Sequence, residues 1–182
     1  MAGSLVFQDS PGHTYKVLPA GLVNASLDEF SAFFGNSSAR QNILNHYLKF
    51  RERLDPLMPT ATHLIDGSFV EDKIRPSDID TVIFFNAADF NNIEDSQRKK
   101  IMNLIGPNNQ SKYTYLTDAF AVPLAKPDEA LYHQSWARLS YWLTWFGTSR
   151  GHTPKGIVRL VNQGTKDDLS NFLTNCGMEI LQ

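Results

Sequence analysis

The segment Asp78-Ile79-Asp80-Thr81-Val82-Ile83-Phe84-Phe85 constrains the chain more than any other. Past Asp80 it is nearly all apolar, the pattern of a central strand covered on both faces. Helices to cover it are legible on either side. Ser26-Leu27-Asp28-Glu29 has the form of a capping box, a hydroxyl followed three residues on by Glu, and opens an apolar stretch to Phe34. From Ala39 to Leu54, Ile43, Tyr47, Phe50 and Leu54 recur at spacings of three or four. That spacing predicts an amphipathic helix, with Arg40, Lys49, Arg51 and Arg53 mostly on its wet side. Residues 93 to 105 suit another helix, and Pro127-Asp128-Glu129 opens a long one running to about Phe146. Thr62 to Ile65, Tyr113 to Leu124 and Ile157 to Val161 read as further strands. Strands alternating with helices predict an α/β or α+β fold, a small mixed β-sheet with helices packed on it.

No repeat or linker divides the chain. Residues 1–14 read as a loose arm, 15–162 as one domain, and 163–182 as a C-terminal extension with a short helix from Asp168. Seventeen basic against nineteen acidic residues give a net charge of −2, which argues against a wholesale polyanion binder. A single cysteine, Cys176, excludes an internal disulfide and a Cys-rich zinc site. There is no apolar run long enough to span a membrane and no basic-flanked apolar leader, so a cytoplasmic protein without a membrane partner is expected.

One constellation carries chemistry. Gly67-Ser68 follows a short strand, and Asp78-Ile79-Asp80 opens the next. Residues i and i+2 of a strand face the same way, roughly 6–7 Å apart, so Asp78 and Asp80 can converge on one cation while Ile79 turns into the core. Hard oxygen ligands of this kind suit Mg²⁺ or Mn²⁺, which normally arrive with substrate phosphates. Gly67 allows backbone N–H groups to approach a phosphate, and Ser68 adds a hydroxyl donor. Asp118 is the candidate third carboxylate, the one acid in the strand Thr114 to Phe120. Each part has a plainer reading: a turn for Gly-Ser, a solvated strand start for Asp-x-Asp, a strand edge for Asp118. Their joint order is what points to a site.

The stretch Ile65-Asp66-Gly67-Ser68-Phe69-Val70-Glu71-Asp72-Lys73 through Pro76-Ser77-Asp78-Ile79-Asp80 resembles the active-site signature of the polymerase-beta-type nucleotidyltransferase superfamily. It is most similar to small stand-alone bacterial and phage proteins of unknown function. Those share a Leu-Pro-x-Gly start (Leu18 to Gly21), a Gly-Ser-Phe segment with a lysine before the acids (Lys73), and a Lys-Gly-Ile strand (Lys155 to Ile157). The likeness spans roughly residues 15–162. It implies that a helix follows the Gly-Ser turn, that Asp78, Asp80 and Asp118 hold Mg²⁺ or Mn²⁺, and that Gly67 and Ser68 hold the β- and γ-phosphates of a nucleoside triphosphate. Lys73 and Lys155 would neutralise triphosphate charge. The implied activity moves a nucleoside monophosphate to an acceptor hydroxyl on RNA, protein or a small molecule, releasing pyrophosphate.

The acceptor has one further pointer. Between Ala130 and Lys166 there is no acid, but there are five basic residues and all three Trp. Basic groups interleaved with aromatics can stack a base or bind single strands. Tyr132, Trp136, Leu139, Leu143 and Phe146 nevertheless keep helical spacing and read as core. The rival class is a non-catalytic module that binds a nucleotide, nucleic acid or protein, as in a toxin–antitoxin or phage–host conflict pair.

Overall fold

The computed structural model describes residues 5–161 and 167–177. Five strands, β1 (Gly21–Ala25), β2 (Thr62–Asp66), β3 (Ile79–Asn86), β4 (Thr117–Leu124) and β5 (Gly156–Leu160), form one sheet in the order β1-β5-β2-β3-β4. β1 runs parallel to β5 and β3 parallel to β4, while β2 is antiparallel to both its neighbours. The fold is a mixed α+β sheet, as the alternation of elements predicts.

Helices lie on both faces. On one face α1 (Leu27–Phe34), α2 (Ser38–Leu54) and α4 (Asp95–Ile105) pack Phe30, Phe34, Tyr47, Phe50 and Ile101 against Ile65, Ile79, Ile83 and Val158. On the other, α6 (Tyr132–Phe146) and α7 (Asp168–Asn175) set Leu139, Phe146, Leu169 and Phe172 on Leu64, Val82, Phe84 and Val122. β3 is thus buried on both sides, and its even-numbered residues face α6 and α7. The capping box of α1 forms as its sequence requires, with Ser26 and Glu29 exchanging bonds. The helix expected from Asp168 is α7, whose N-cap Asp167 accepts from Ser170 N–H; residues 1–4, 162–166 and 178–182 of the expected arm and extension lie outside the described residues. Among the described residues no helix is long and apolar enough to cross a membrane.

Several expectations are corrected. Tyr113 to Leu116 is not strand: Ser111–Tyr115 form a one-turn helix, α5, and β4 begins at Thr117. Its aromatic residues suit a strand, but the Asn109 side chain accepts from Ser111 N–H and Leu116 turns left-handed (φ 48°), so the chain coils once before entering the sheet. The helix opened by Pro127 starts only at Tyr132, because the Glu129 carboxylate accepts from Lys126 N–H and closes a separate turn. Two elements went unread, β1 and the short helix α3 (Ala87–Asn92), the latter capped by Asn86. The arm, from residue 5 onward, is tied down: Gln8 bridges Val17, and Phe7 meets Phe33 and Phe34.

Arg40 and Arg51 are buried rather than wet. The reason is a local partner for each guanidinium. Arg51 pairs with Asp55 at 2.8 Å, one helical turn on. Arg40 donates to the carbonyls of Phe69 (2.7 Å), Glu71 and Lys73 (3.0 Å) and lies over the Phe69 ring. It therefore fastens the loop that follows Gly67-Ser68.

Candidate active site

Register alone assembles the candidate residues. Asp66 ends β2 opposite Asp80, and Asp80 is in turn level with Asp118 of β4. Neighbouring strands lie about 4.8 Å apart, so three carboxylates form a row across three strands. All three stand on the face that α6 and α7 cover, at its open end. Asp78, two residues before Asp80, shares that face. Lys155, just before β5, extends the row on the far side of Asp66, 2.8 Å from its carboxylate.

Gly67 turns the chain away directly after Asp66. Its backbone (φ 80°, ψ −170°) lies in a region open essentially to glycine. A Cβ there would lie 1.8 Å from Asp80 Oδ2. Ser68 follows in a single 3₁₀ turn (Ser68–Val70), anchored by buried Phe69 and Val70. No longer helix follows the turn, contrary to the expectation.

The electrostatics centre on Asp80. Burial raises its carboxyl to about 7, helped by the negative charges of Asp78, Asp66 and Asp118 and opposed by Lys112. Among the described residues Asp80 has neither an ion pair nor a hydrogen-bond partner, whereas its neighbours do. Lys112 of α5 spans Asp118 (2.6 Å) and Asp78 (3.1 Å), and Ser77 Oγ donates to Asp78 at 2.6 Å. Asp66 is pushed up to about 6 by burial, against the pull of Lys155. Counting Asp66, Glu71, Asp78, Asp80 and Asp118 against Lys112 and Lys155, the cluster holds five carboxyl groups and two ammonium groups.

Gly67, Ser68, Asp78, Asp80 and Asp118 are thus brought together. Lys155 joins them differently from the expectation: it is buried between Asp66 and Glu71 (3.1 Å), with both acids claiming its ammonium. Lys73 forms no ion pair among the described residues and enters the site's framework through its carbonyl, held by Arg40. Asp66, Glu71, Lys112 and Arg40 were missed. Asp66 had a signal in its place, next to Gly67 at a strand end.

The donor chemistry fits a hard divalent ion, since Asp80 is a largely buried carboxylate beside other carboxylates and, among the described residues, has no ion-pair partner. The carboxylates do not close into a cage, however: among the described residues no group of three or more His, Cys, Asp or Glu side chains is gathered around one point. The Lys112 ammonium lies between two of them.

Beside the row, Phe120 stands two residues beyond Asp118 on the same face, and Trp142 packs on it at 4.5 Å between centroids. Tyr141 and Trp145 stack on one another, 54% and 64% exposed. Leu139 and Phe146 are core, as their spacing predicts. The model of a family described as of unknown function (DUF6932) matches residues 11–161. No curated protein and no solved structure matches the chain.

Proposed function

We propose that the chain, which belongs to this family of unknown function (DUF6932), is a metal-dependent nucleotidyltransferase. The observation that carries the reading is the Asp80 carboxylate, level with Asp66 and Asp118 across three strands, set directly against a glycine turn and, among the described residues, without an ion-pair partner of its own. Asp78 and Asp80 would hold Mg²⁺ or Mn²⁺, with Asp118 as the third ligand. When bound, the ion supplies neutralisation of triphosphate charge and a more acidic acceptor hydroxyl. Gly67 and Ser68 offer backbone N–H groups and a hydroxyl to the β- and γ-phosphates, and Arg40 keeps their loop in place. Asp118, at the edge of the row, receives the proton of the acceptor hydroxyl as it attacks the α-phosphorus. Pyrophosphate leaves on the opposite side. The exposed rings of Tyr141 and Trp145 offer a stacking surface for a base. The substrate is a nucleoside triphosphate and the acceptor an RNA end, a protein or a small molecule. We place the activity in the cytoplasm, where such triphosphates are held.

A second reading has its own observation. Lys112 already neutralises Asp78 and Asp118, which suits a module that binds a nucleotide, nucleic acid or protein without turnover. One experiment separates the two. The protein is incubated with each α-labelled triphosphate, Mg²⁺ or Mn²⁺, and a cell extract fractionated into RNA, protein and small molecules. Label entering one fraction, and lost in the Asp78→Ala, Asp80→Ala variant, supports transfer. Nucleotide binding without any transfer favours the module. Neither nucleotide binding nor transfer sinks the transferase and, with it, the nucleotide-binding form of the module.

A further inference from the structure

Lys112 occupies a peculiar place. Its Nζ lies 2.6 Å from Asp118 Oδ2 and 3.1 Å from Asp78 Oδ2, two of the three carboxylates the proposed site gives to a divalent ion. An ammonium and a Mg²⁺ cannot both sit between the same two oxygens, because like charges a few ångströms apart repel strongly. The placement is built into the fold. The single turn of α5, ended by left-handed Leu116, reverses the chain so that Lys112 comes back over Asp118, six residues further on. The side chain is 49% exposed on a flexible stem, so it can leave without opening the core.

We infer, resting on the transferase reading above, that Lys112 is a built-in counter-cation that competes with the divalent ion for Asp78 and Asp118. When the ion takes those carboxylates, the ammonium passes to the phosphate oxygens of the incoming triphosphate. Lys112 is a positioning residue before substrate arrives and a phosphate ligand afterwards. The site then responds to metal and nucleotide together, not to metal alone. Lone ions meet competition, whereas a metal–triphosphate complex offers the displaced lysine a new partner.

The test measures Mn²⁺ binding directly, by the paramagnetic resonance signal of the free ion, with and without a non-hydrolysable triphosphate. Wild type is compared with Lys112→Met, Lys112→Gln and Lys112→Arg, and with Lys112→Met carrying Asp80→Asn. Folding of each is checked by circular dichroism; the Gln variant serves if Met does not fold. Without nucleotide, Lys112→Met is expected to bind Mn²⁺ about tenfold tighter than wild type, the scale of two partly exposed ion pairs the ion no longer breaks. Lys112→Arg stays near wild type, and Asp80→Asn abolishes the gain. With Mn²⁺ saturating, the Met variant binds the triphosphate several-fold more weakly. Equal or weaker Mn²⁺ binding by Lys112→Met, with wild type still binding through Asp80, overturns the competition and leaves the metal site standing. Absence of Mn²⁺ binding in every protein at millimolar ion overturns the metal site and the competition with it.

Discussion

Gly67 and Asp80 share one piece of space: the Asp80 Oδ2 lies 1.8 Å from where a Cβ on residue 67 would be. The glycine turn and the central carboxylate of the row are therefore a single device. The turn exists so that the carboxylate can lie against backbone, and its conformation (φ 80°, ψ −170°) is one that other residues avoid.

Gly67→Ala is expected to fail twice over. The backbone strain costs roughly 1–3 kcal/mol, and the methyl group pushes the Asp80 carboxyl out of the row. Urea unfolding should show the loss of stability, and Mn²⁺ binding should fall in the protein that remains folded. A variant of unchanged stability and unchanged ion affinity would show that the close approach is unimportant.

Lys155 separates a structural from a substrate-binding role. It was expected to meet triphosphate, yet it is buried with Asp66 and Glu71 as partners. Lys155→Met leaves buried Asp66 and half-buried Glu71 without their shared ammonium and is expected to cost about 3 kcal/mol. The checking measurement is thermal unfolding without nucleotide. A large fall there, present before any substrate is added, identifies Lys155 as a clamp of the β2–β5 end of the row.

Arg40 holds the loop beyond Ser68 by its carbonyls. Arg40→Ala strips three acceptors of a charged donor and should cost about 3 kcal/mol. Arg40→Lys should recover little, because one ammonium cannot reproduce the planar fork. Proteolysis within residues 69–73, measured at fixed global stability, should rise in both variants.

The sequence made some of this legible and hid the rest for identifiable reasons. Gly67, Ser68, Asp78 and Asp80 were readable because they lie close along the chain, where strand period and turn chemistry apply directly. Asp118 was readable as a lone charge in an apolar strand. Lys155 was singled out, but its pairing depends on β5 lying beside β2, a neighbour relation no local pattern carries. Lys112 was hidden because Tyr113 and Tyr115 resemble strand residues, while the turn that lifts it depends on Asn109 and Leu116. Arg40 was misplaced because a helix read alone assigns charges to water, and the loop carbonyls that satisfy it come from elsewhere in the chain.

Asp80 should leave its mark on stability as a function of pH. Its carboxyl is raised from 3.8 to about 7 in the folded protein, first by burial and then by neighbouring carboxylates. Between those values the folded chain holds a proton that the unfolded chain has lost, so stability falls as pH rises through that window and levels off above it. Asp66, raised to about 6, adds a fall of the same sign. Asp80→Asn removes the larger part. Without divalent ion, Asp80→Asn should therefore be more stable than wild type at pH 8 by roughly 1–3 kcal/mol, a range that allows for the water the side chain still touches. The two should converge near pH 4. Adding Mn²⁺ should stabilise wild type at pH 8 and leave Asp80→Asn unmoved, since an ion that binds only the folded state with Asp80 ionised shifts only that protein. Thermal unfolding at pH 4 to 8, with and without Mn²⁺, checks all three comparisons. A residue whose removal strengthens the fold has been kept for another purpose, and a cation-dependent reversal of that gain would identify the purpose as binding the ion. If Asp80→Asn is instead less stable than wild type at pH 8, the carboxylate is a structural element and the metal reading loses the observation on which it rests.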